Sequence, residues 1–160
     1  MKQRTTEVKW AIIFTVVALL WVALERALGW HDELIHKHAV YTNLFAVVAI
    51  ALYVFALLDK RHRDHGGYMT WKQGFVSGLL ISVGVAVLSP LAQYITHTVV
   101  TPDYFGNARA FAMTAGHTDA EAAARHFNLG SYIVQATIGA LVLGVVTSAL
   151  VASVVRRSPA

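Results

Sequence analysis

"KQGFVSGLLISVGVAVLSPLAQYITHT", residues 72–98, is an apolar stretch whose only lysine, Lys72, stands at its start. An α-helix rises about 1.5 Å per residue, so this stretch is long enough to cross the ~30 Å hydrocarbon layer of a bilayer. Apolar stretches of similar length occupy residues 9–29, 40–58 and 131–155. The sequence therefore predicts an all-α membrane protein, a bundle of four transmembrane helices.

The composition agrees with this prediction. Of the 160 residues, 56% are hydrophobic and only 14% are charged, and the mean hydropathy is +0.53. Soluble domains ordinarily carry about 25% charged residues. We therefore expect a single integral membrane domain over residues 1–160. The chain has no cysteine, which excludes disulfides and thiolate metal sites.

The lysines and arginines outside the predicted spans are unevenly distributed. Nine lie on one side of the membrane, namely Lys2, Arg4, Lys9, Lys60, Arg61, Arg63, Lys72, Arg156 and Arg157; three lie on the other, namely Lys37, Arg109 and Arg125. Cytoplasmic loops carry the excess of basic residues. Both termini are thus predicted to be cytoplasmic, and the histidine-rich residues 29–38 to face outward. This placement favours membrane lipids as partners and argues against nucleic acid.

The loop between the last two spans, residues 99–130, is predicted to form two short helices. Thr101 followed by Pro102 is a typical helix start. Thr118 and Glu121 have the spacing of a capping box, which indicates a second start. We expect the two helices to cap the outer mouth of the bundle.

Small residues recur at every fourth position of the last two spans. In lipid, helices associate by close packing, which small residues permit. We predict that these spans pack together, although the same faces would also suit a homodimer or contact with another membrane protein. Pro90 should bend its helix. The packing residues are Gly74, Gly78, Ser82, Ala86 and Pro90, with Ala136, Ala140, Gly144 and Ser148.

Polar residues within the spans are costly in lipid and mark candidate functional sites. They cluster in the outer third of the predicted bundle, where they would form a polar pocket for a ligand; alternatively, they hydrogen-bond across helices and only fix the packing. We take Glu25 as the central ionisable group. The candidate ligand-binding residues are Glu25, Arg26, Asn43, Gln93, Tyr94, His97, Tyr132 and Gln135.

The stretch "GWHDELIHKH", residues 29–38, raises the question of a metal site. A metalloprotease helix needs two histidines four residues apart, whereas His31 and His36 are five apart, which turns them about 140° from each other on a helix. Catalytic zinc of that type is excluded and no cofactor is predicted. His31, His36 and His38 remain candidates for looser coordination, with His117 and His126.

The central stretch "GGYMTWKQGFVSGLLISVGVAVLSPLAQYITHTVVTPDYF", residues 66–105, resembles a family of small bacterial inner-membrane proteins known only as a domain of unknown function, family forty-one ninety-nine. The resemblance implies four spans in the inner membrane and no known activity. The residues that carry it are Gly66, Gly67, Gly74, Gly78, Tyr94, Pro102, Asp103 and Tyr104.

The sequence contains no nucleophile elbow, zincin motif or phosphate-binding glycine loop, which disfavours an enzyme. We therefore predict a non-enzymatic accessory or lipid-binding membrane protein with a polar pocket near the outer face. The alternative is a small dimeric transporter in which Glu25 exchanges protons.

Overall fold

The computed structural model describes residues 4–158, so Lys2 of the charge count lies outside the described residues. Within these residues the chain is mainly helical and has one isolated antiparallel bridge, between Met69 and Arg157. The helices are α1 (Thr5–Ala27), α2 (Ile35–Tyr41), α3 (Phe45–His65), α4 (Trp71–Ile95), α5 (Tyr104–Thr114), α6 (Ala120–His126) and α7 (Leu129–Val155).

Four of these segments are long and apolar enough to cross a membrane, which confirms the predicted four-span fold. The second span is longer than the predicted residues 40–58. It covers Ile35–His65, because a 3₁₀ turn at Thr42–Leu44 carries α2 directly into α3. The third span continues past α4 through a π-helical turn, Thr96–Val100.

Polar caps fix where the later spans begin. The Thr70 hydroxyl accepts from the Gln73 amide while the Gln73 side chain accepts from the Thr70 amide, a capping box at the start of α4. At α7, the Asn128 side chain accepts from the Ser131 amide. The helix before α4, α3, is capped at its C-terminus by Gly66, whose φ of 60° is a left-handed conformation that glycine adopts at low cost.

The two small-residue stripes meet between α4 and α7. A methyl group added at Gly78 would lie 2.6 Å from Ser148 Cβ, and one added at Gly144 would lie 2.5 Å from Ser82 Cβ. These glycines let the two backbones approach, which supplies the dispersion contacts that hold helices together in lipid. Gly74 continues the contact, 3.1 Å from Ala152 Cβ when given a methyl group.

The remaining members of the two stripes have different surroundings. Pro90 is exposed, while Ala136 and Ala140 line a groove together with residues of α4. Each step of four residues turns roughly 40° around an α-helix, so four steps turn a stripe by about 160°. A stripe of this spacing therefore does not point in one direction along its whole length.

The helix α1 crosses α4 closely at Gly84, where a methyl group would lie 2.6 Å from Ala11 Cβ. The buried core of the bundle is formed by α3, α4 and α7, around Leu57, Ile81 and Val151. Tyr53 and Ser82 share a hydrogen bond of 2.7 Å within this core.

The predicted pair of short helices is confirmed as α5 and α6, but the predicted starts are wrong. Asp103 takes the cap position of α5, because Thr101 is buried and its hydroxyl lies against His31. Asp119 caps α6, since its carboxylate accepts the Ala122 amide in place of Thr118.

Candidate functional site

We call the end of the bundle at which α1 and α4 finish and α2 and α7 begin the histidine end. The opposite end, where the described chain starts and finishes, is the terminal end. At the histidine end, side chains from six segments meet around a cavity of about 160 Å³. Its ionisable lining residues are Glu25, His31, His38, His97, Tyr104 and Tyr132.

The turn after α1 returns the chain onto the helix that it has just left. Gly29 has a φ of 75°, a left-handed conformation favoured by glycine, and the Trp30 amide donates to the carbonyl of Glu25 at 3.0 Å. This tight closure places His31 beside the side chain of Glu25.

Glu25 is the centre of the site and is only 2% exposed. Its Oε1 accepts a hydrogen bond of 2.6 Å from the Trp21 indole. Its Oε2 lies 3.1 Å from Nε2 of His31, which is 4% exposed. A carboxylate that is buried this deeply requires such partners, because an unpaired charge away from water is costly.

His38 and His97 complete a ring of imidazoles. The rings of His31 and His38 are 4.9 Å apart, and the ring of Tyr104 is 5.1 Å from His31 and 5.4 Å from His97. The Nδ1 atoms of His38 and His97 are both buried without a hydrogen-bond partner. Buried polar atoms in folded proteins seldom lack a partner, so these two nitrogens mark a site with unused binding capacity.

The helix α5 covers the cavity and is fixed to the loop beneath it. The Asn107 side chain donates to the carbonyl of His31 at 3.0 Å, and the Tyr104 and Tyr132 hydroxyls lie 3.0 Å apart. Burial raises the pKa of the Tyr104 phenol above its ordinary value, and the adjacent Tyr132 adds to the rise. Tyr104 therefore stays protonated at neutral pH and offers the cavity a hydroxyl rather than an anion.

A second, larger opening adjoins this cavity. A groove of about 420 Å³ runs between α1, α3, α4 and α7, and it is lined mainly by alanine, glycine and aromatic side chains. Thr42 and Gln93 line both the groove and the polar cavity. The groove thus ends at the histidine end of the bundle, where the polar groups begin.

The structure brings some of the predicted ligand-binding residues together and separates others. Glu25, Gln93, His97 and Tyr132 line the polar cavity, and Asn43 lines the groove. Three predicted residues are exposed and lie outside both: Arg26, Tyr94 and Gln135.

Arg26, predicted to bind a ligand, instead donates through its guanidinium to the carbonyl of Val100. That bond ties the end of α1 to the π-helical turn that carries His97.

The histidines divide in the same way. His31 and His38 face the cavity. His36, on α2 like His38, is exposed, as are His117 and His126. Tyr104, Thr42 and Thr101 were missed as site residues, because they reach the cavity through the way α5 and the turns fold back onto the bundle, which spacing along the sequence does not show.

A buried ionic cluster at the terminal end was also missed. Lys60 is only 6% exposed, and its Nζ lies 2.8 Å from Oε1 of Glu7 and 2.5 Å from Oδ2 of Asp64. Ser77 donates to the same Glu7 oxygen at 2.8 Å. The charge count treated Lys60 only as a topology signal. Asp64, one helical turn later, pairs with the buried ammonium and offsets the cost of its burial.

The family model described as "Protein of unknown function (DUF4199)" matches residues 9–157. The chain belongs to this family. The match covers the last three spans, most of the first and the whole histidine end, and it assigns no activity to a DUF4199 protein. Among curated proteins and among solved structures, nothing matches the chain significantly.

Proposed function

We propose that this DUF4199 protein is a non-enzymatic membrane protein that binds one neutral amphiphile, with the apolar tail in the groove and the head at the histidine end. The observation that carries the proposal is the shared lining: Thr42 and Gln93 belong both to the apolar groove and to the polar cavity. An opening that is mainly apolar along its length and polar at one end complements a molecule with an apolar tail and a polar head.

The size of the groove supports this reading. Sites for small molecules commonly measure about 300–1,000 Å³ and combine apolar walls with a few polar groups. The groove of about 420 Å³ falls in this range. Its walls carry small side chains, such as Ala18, Ala49 and Ala140, which leave room for an acyl or isoprenoid chain.

The polar groups at the end of the groove define the head. Thr42, Asn43 and Gln93 supply a hydroxyl and two amides there, Thr15, Tyr53, Ser89 and Thr147 add single hydroxyls to the lining, and the described lining includes no charged side chain. Glu25 lines the cavity but not the groove, so an ionised head held between Thr42, Asn43 and Gln93 would have no counter-charge within the groove, which is costly. The head should therefore be uncharged and carry hydroxyl or carbonyl oxygens.

Filling the groove tests the proposal. Gly139 lines it, and a methyl group added there would meet nothing within 4 Å. Gly139→Leu should therefore block the tail without disturbing the helices. Val142→Leu is the matched control, because Val142 lies on the same helix, is 57% exposed and does not line the groove.

The measurement is native mass spectrometry of protein extracted in mild detergent. We expect one retained amphiphile per chain in the parent and in Val142→Leu, and a loss of most of it in Gly139→Leu. A parent that retains no amphiphile, or a Gly139→Leu variant that retains as much as the parent, would refute the proposal.

We further propose that the protein lies in the bacterial inner membrane with both termini in the cytoplasm, as the basic residues indicate. The absence of cysteine makes this easy to test, because a single cysteine can be introduced at the exposed positions His36 and His62. An impermeant thiol reagent applied to intact spheroplasts should label His36→Cys and not His62→Cys. Equal labelling of both would contradict the orientation.

Proton-coupled transport, by a dimer, is the second candidate. It is favoured by a carboxylate at each end of α1, since Glu7 and Glu25 are both buried and ionisable groups within spans often serve proton pathways. Reconstituted vesicles should then show proton flux that Glu25→Gln abolishes. Parent vesicles without flux would leave amphiphile binding as the only candidate.

A further inference from the structure

The three side chains at the centre of the histidine end have the donor types of a metal site. One ligand atom from each of Glu25, His31 and His38 lies within 4.8 Å of the others. Oε2 of Glu25 and Nε2 of His31 are 3.1 Å apart. Two ligands on a tetrahedral ion with bonds of about 2.0–2.1 Å are separated by roughly 3.3 Å, so this pair already has nearly the required spacing.

Independent support comes from the two unpartnered imidazole nitrogens. His97 is 9% exposed, lines the same cavity and has no partner for Nδ1. Nδ1 of His38 is likewise buried without a partner. A protein that only needed a folded bundle would gain nothing from leaving both nitrogens unused, whereas a bound ion or its water ligand would satisfy them.

The surroundings hold two of the three ligands, His31 and Glu25, in place. Nδ1 of His31 lies 3.2 Å from the Thr101 hydroxyl, on the far side of the ring from Glu25. The Trp21 indole donates to the other oxygen of Glu25. Histidines and carboxylates that bind metal ordinarily have such outer partners, which orient the ligands and leave one atom of each free for the ion.

The charges near the site also favour a cation. Within residues 4–158, no lysine or arginine lines the cavity, so the Glu25 carboxylate has no fixed positive partner there. Two imidazoles with one carboxylate suit first-row transition ions rather than Mg²⁺ or Ca²⁺, which prefer oxygen ligands.

We propose that Glu25, His31 and His38 bind one divalent first-row transition ion of the zinc class, with the open coordination position facing the cavity toward His97 and Tyr104. The site does not depend on amphiphile binding, because the groove reaches only Thr42 and Gln93 of the cavity lining. It differs from the predicted set of histidines by excluding His36 and including Glu25.

The test is zinc titration of tag-free, chelator-treated protein in detergent, followed by calorimetry. We expect one ion per chain with a Kd in the micromolar range or tighter. Loss of an outer partner typically weakens metal binding by about 10–100-fold, so Thr101→Val should fall in that range, and Glu25→Gln and His38→Gln should exceed it. His36→Gln is the matched control, and its affinity should equal that of the parent.

Two results would overturn the proposal. One is a parent that does not bind zinc at a ratio of one per chain. The other is equal weakening by His36→Gln and His38→Gln, which would indicate adventitious surface binding. Helix content and monodispersity report whether each variant is folded. If Glu25→Gln is unfolded, His38→Gln decides the outcome. His38 is only half-buried, so its replacement should leave the fold intact. Retained amphiphile, measured separately, distinguishes failure of this site from failure of the proposed function.

Discussion

Gly144→Ala tests the close approach of α4 and α7, because the loss in the free energy of unfolding can be estimated from the contacts at Gly144. The added methyl group would lie 2.5 Å from Ser82 Cβ, an atom fixed to the backbone of α4, so rotation of a side chain cannot relieve the overlap. Overpacking of this kind costs about 1–3 kcal/mol. Displacing Ser82 would also weaken its hydrogen bond with Tyr53, at about 0.5–1.5 kcal/mol.

Replacing glycine by alanine within a helix also stabilises the folded state by about 0.5–1 kcal/mol, which offsets part of this loss. We therefore expect a net loss of about 1–3 kcal/mol in the free energy of unfolding, and a melting temperature lower by about 2–4 °C for each kcal/mol. Gly139→Ala is the control on the same helix, because its methyl group would meet nothing within 4 Å. It should match or exceed the parent.

The assay is thermal unfolding in mild detergent, followed by circular dichroism, with both variants and the parent in the same micelles. If Gly144→Ala has the same melting temperature as the parent, or if the two alanine variants change the melting temperature by the same amount, the packing described for α4 and α7 is wrong.

Two further predictions concern stability, measured by the same melting assay. Lys60→Met leaves the buried Glu7 without its cation and should lower the free energy of unfolding by about 3–5 kcal/mol. The control Lys9→Met removes an exposed pair with Asp59 and should lower it by no more than about 1 kcal/mol. Equal losses in the two variants would contradict the burial of the Lys60–Glu7 pair. Tyr53→Phe removes the hydroxyl that meets Ser82 and should cost about 0.5–1.5 kcal/mol; an unchanged melting temperature would show that this bond contributes nothing.

The four spans could be predicted from sequence because the bilayer imposes one dominant constraint, a length of apolar residues. The contact of α4 with α7 was predicted for the same kind of reason, since Gly78 and Gly144 are the residues that allow close approach. These features depend on local composition, which is visible along the chain.

The site was only partly predictable, because its geometry depends on turns. Glu25, His31 and His38 meet through the left-handed Gly29 and the turn that follows it, and helical spacing rules do not apply across such a break. The zincin argument assumed that His31 and His36 lie on one helix, but His31 lies in the turn that precedes α2. A glutamate at the end of a span, followed by a glycine and two histidines, was the available signal.

X-ray absorption at the zinc edge of the zinc-loaded protein shows whether Glu25, His31 and His38 form one site. The account predicts nitrogen and oxygen ligands at about 2.0–2.1 Å, with two imidazoles in the parent and in His36→Gln and one in His38→Gln. An imidazole count that falls in His36→Gln, or that is unchanged in His38→Gln, would contradict it.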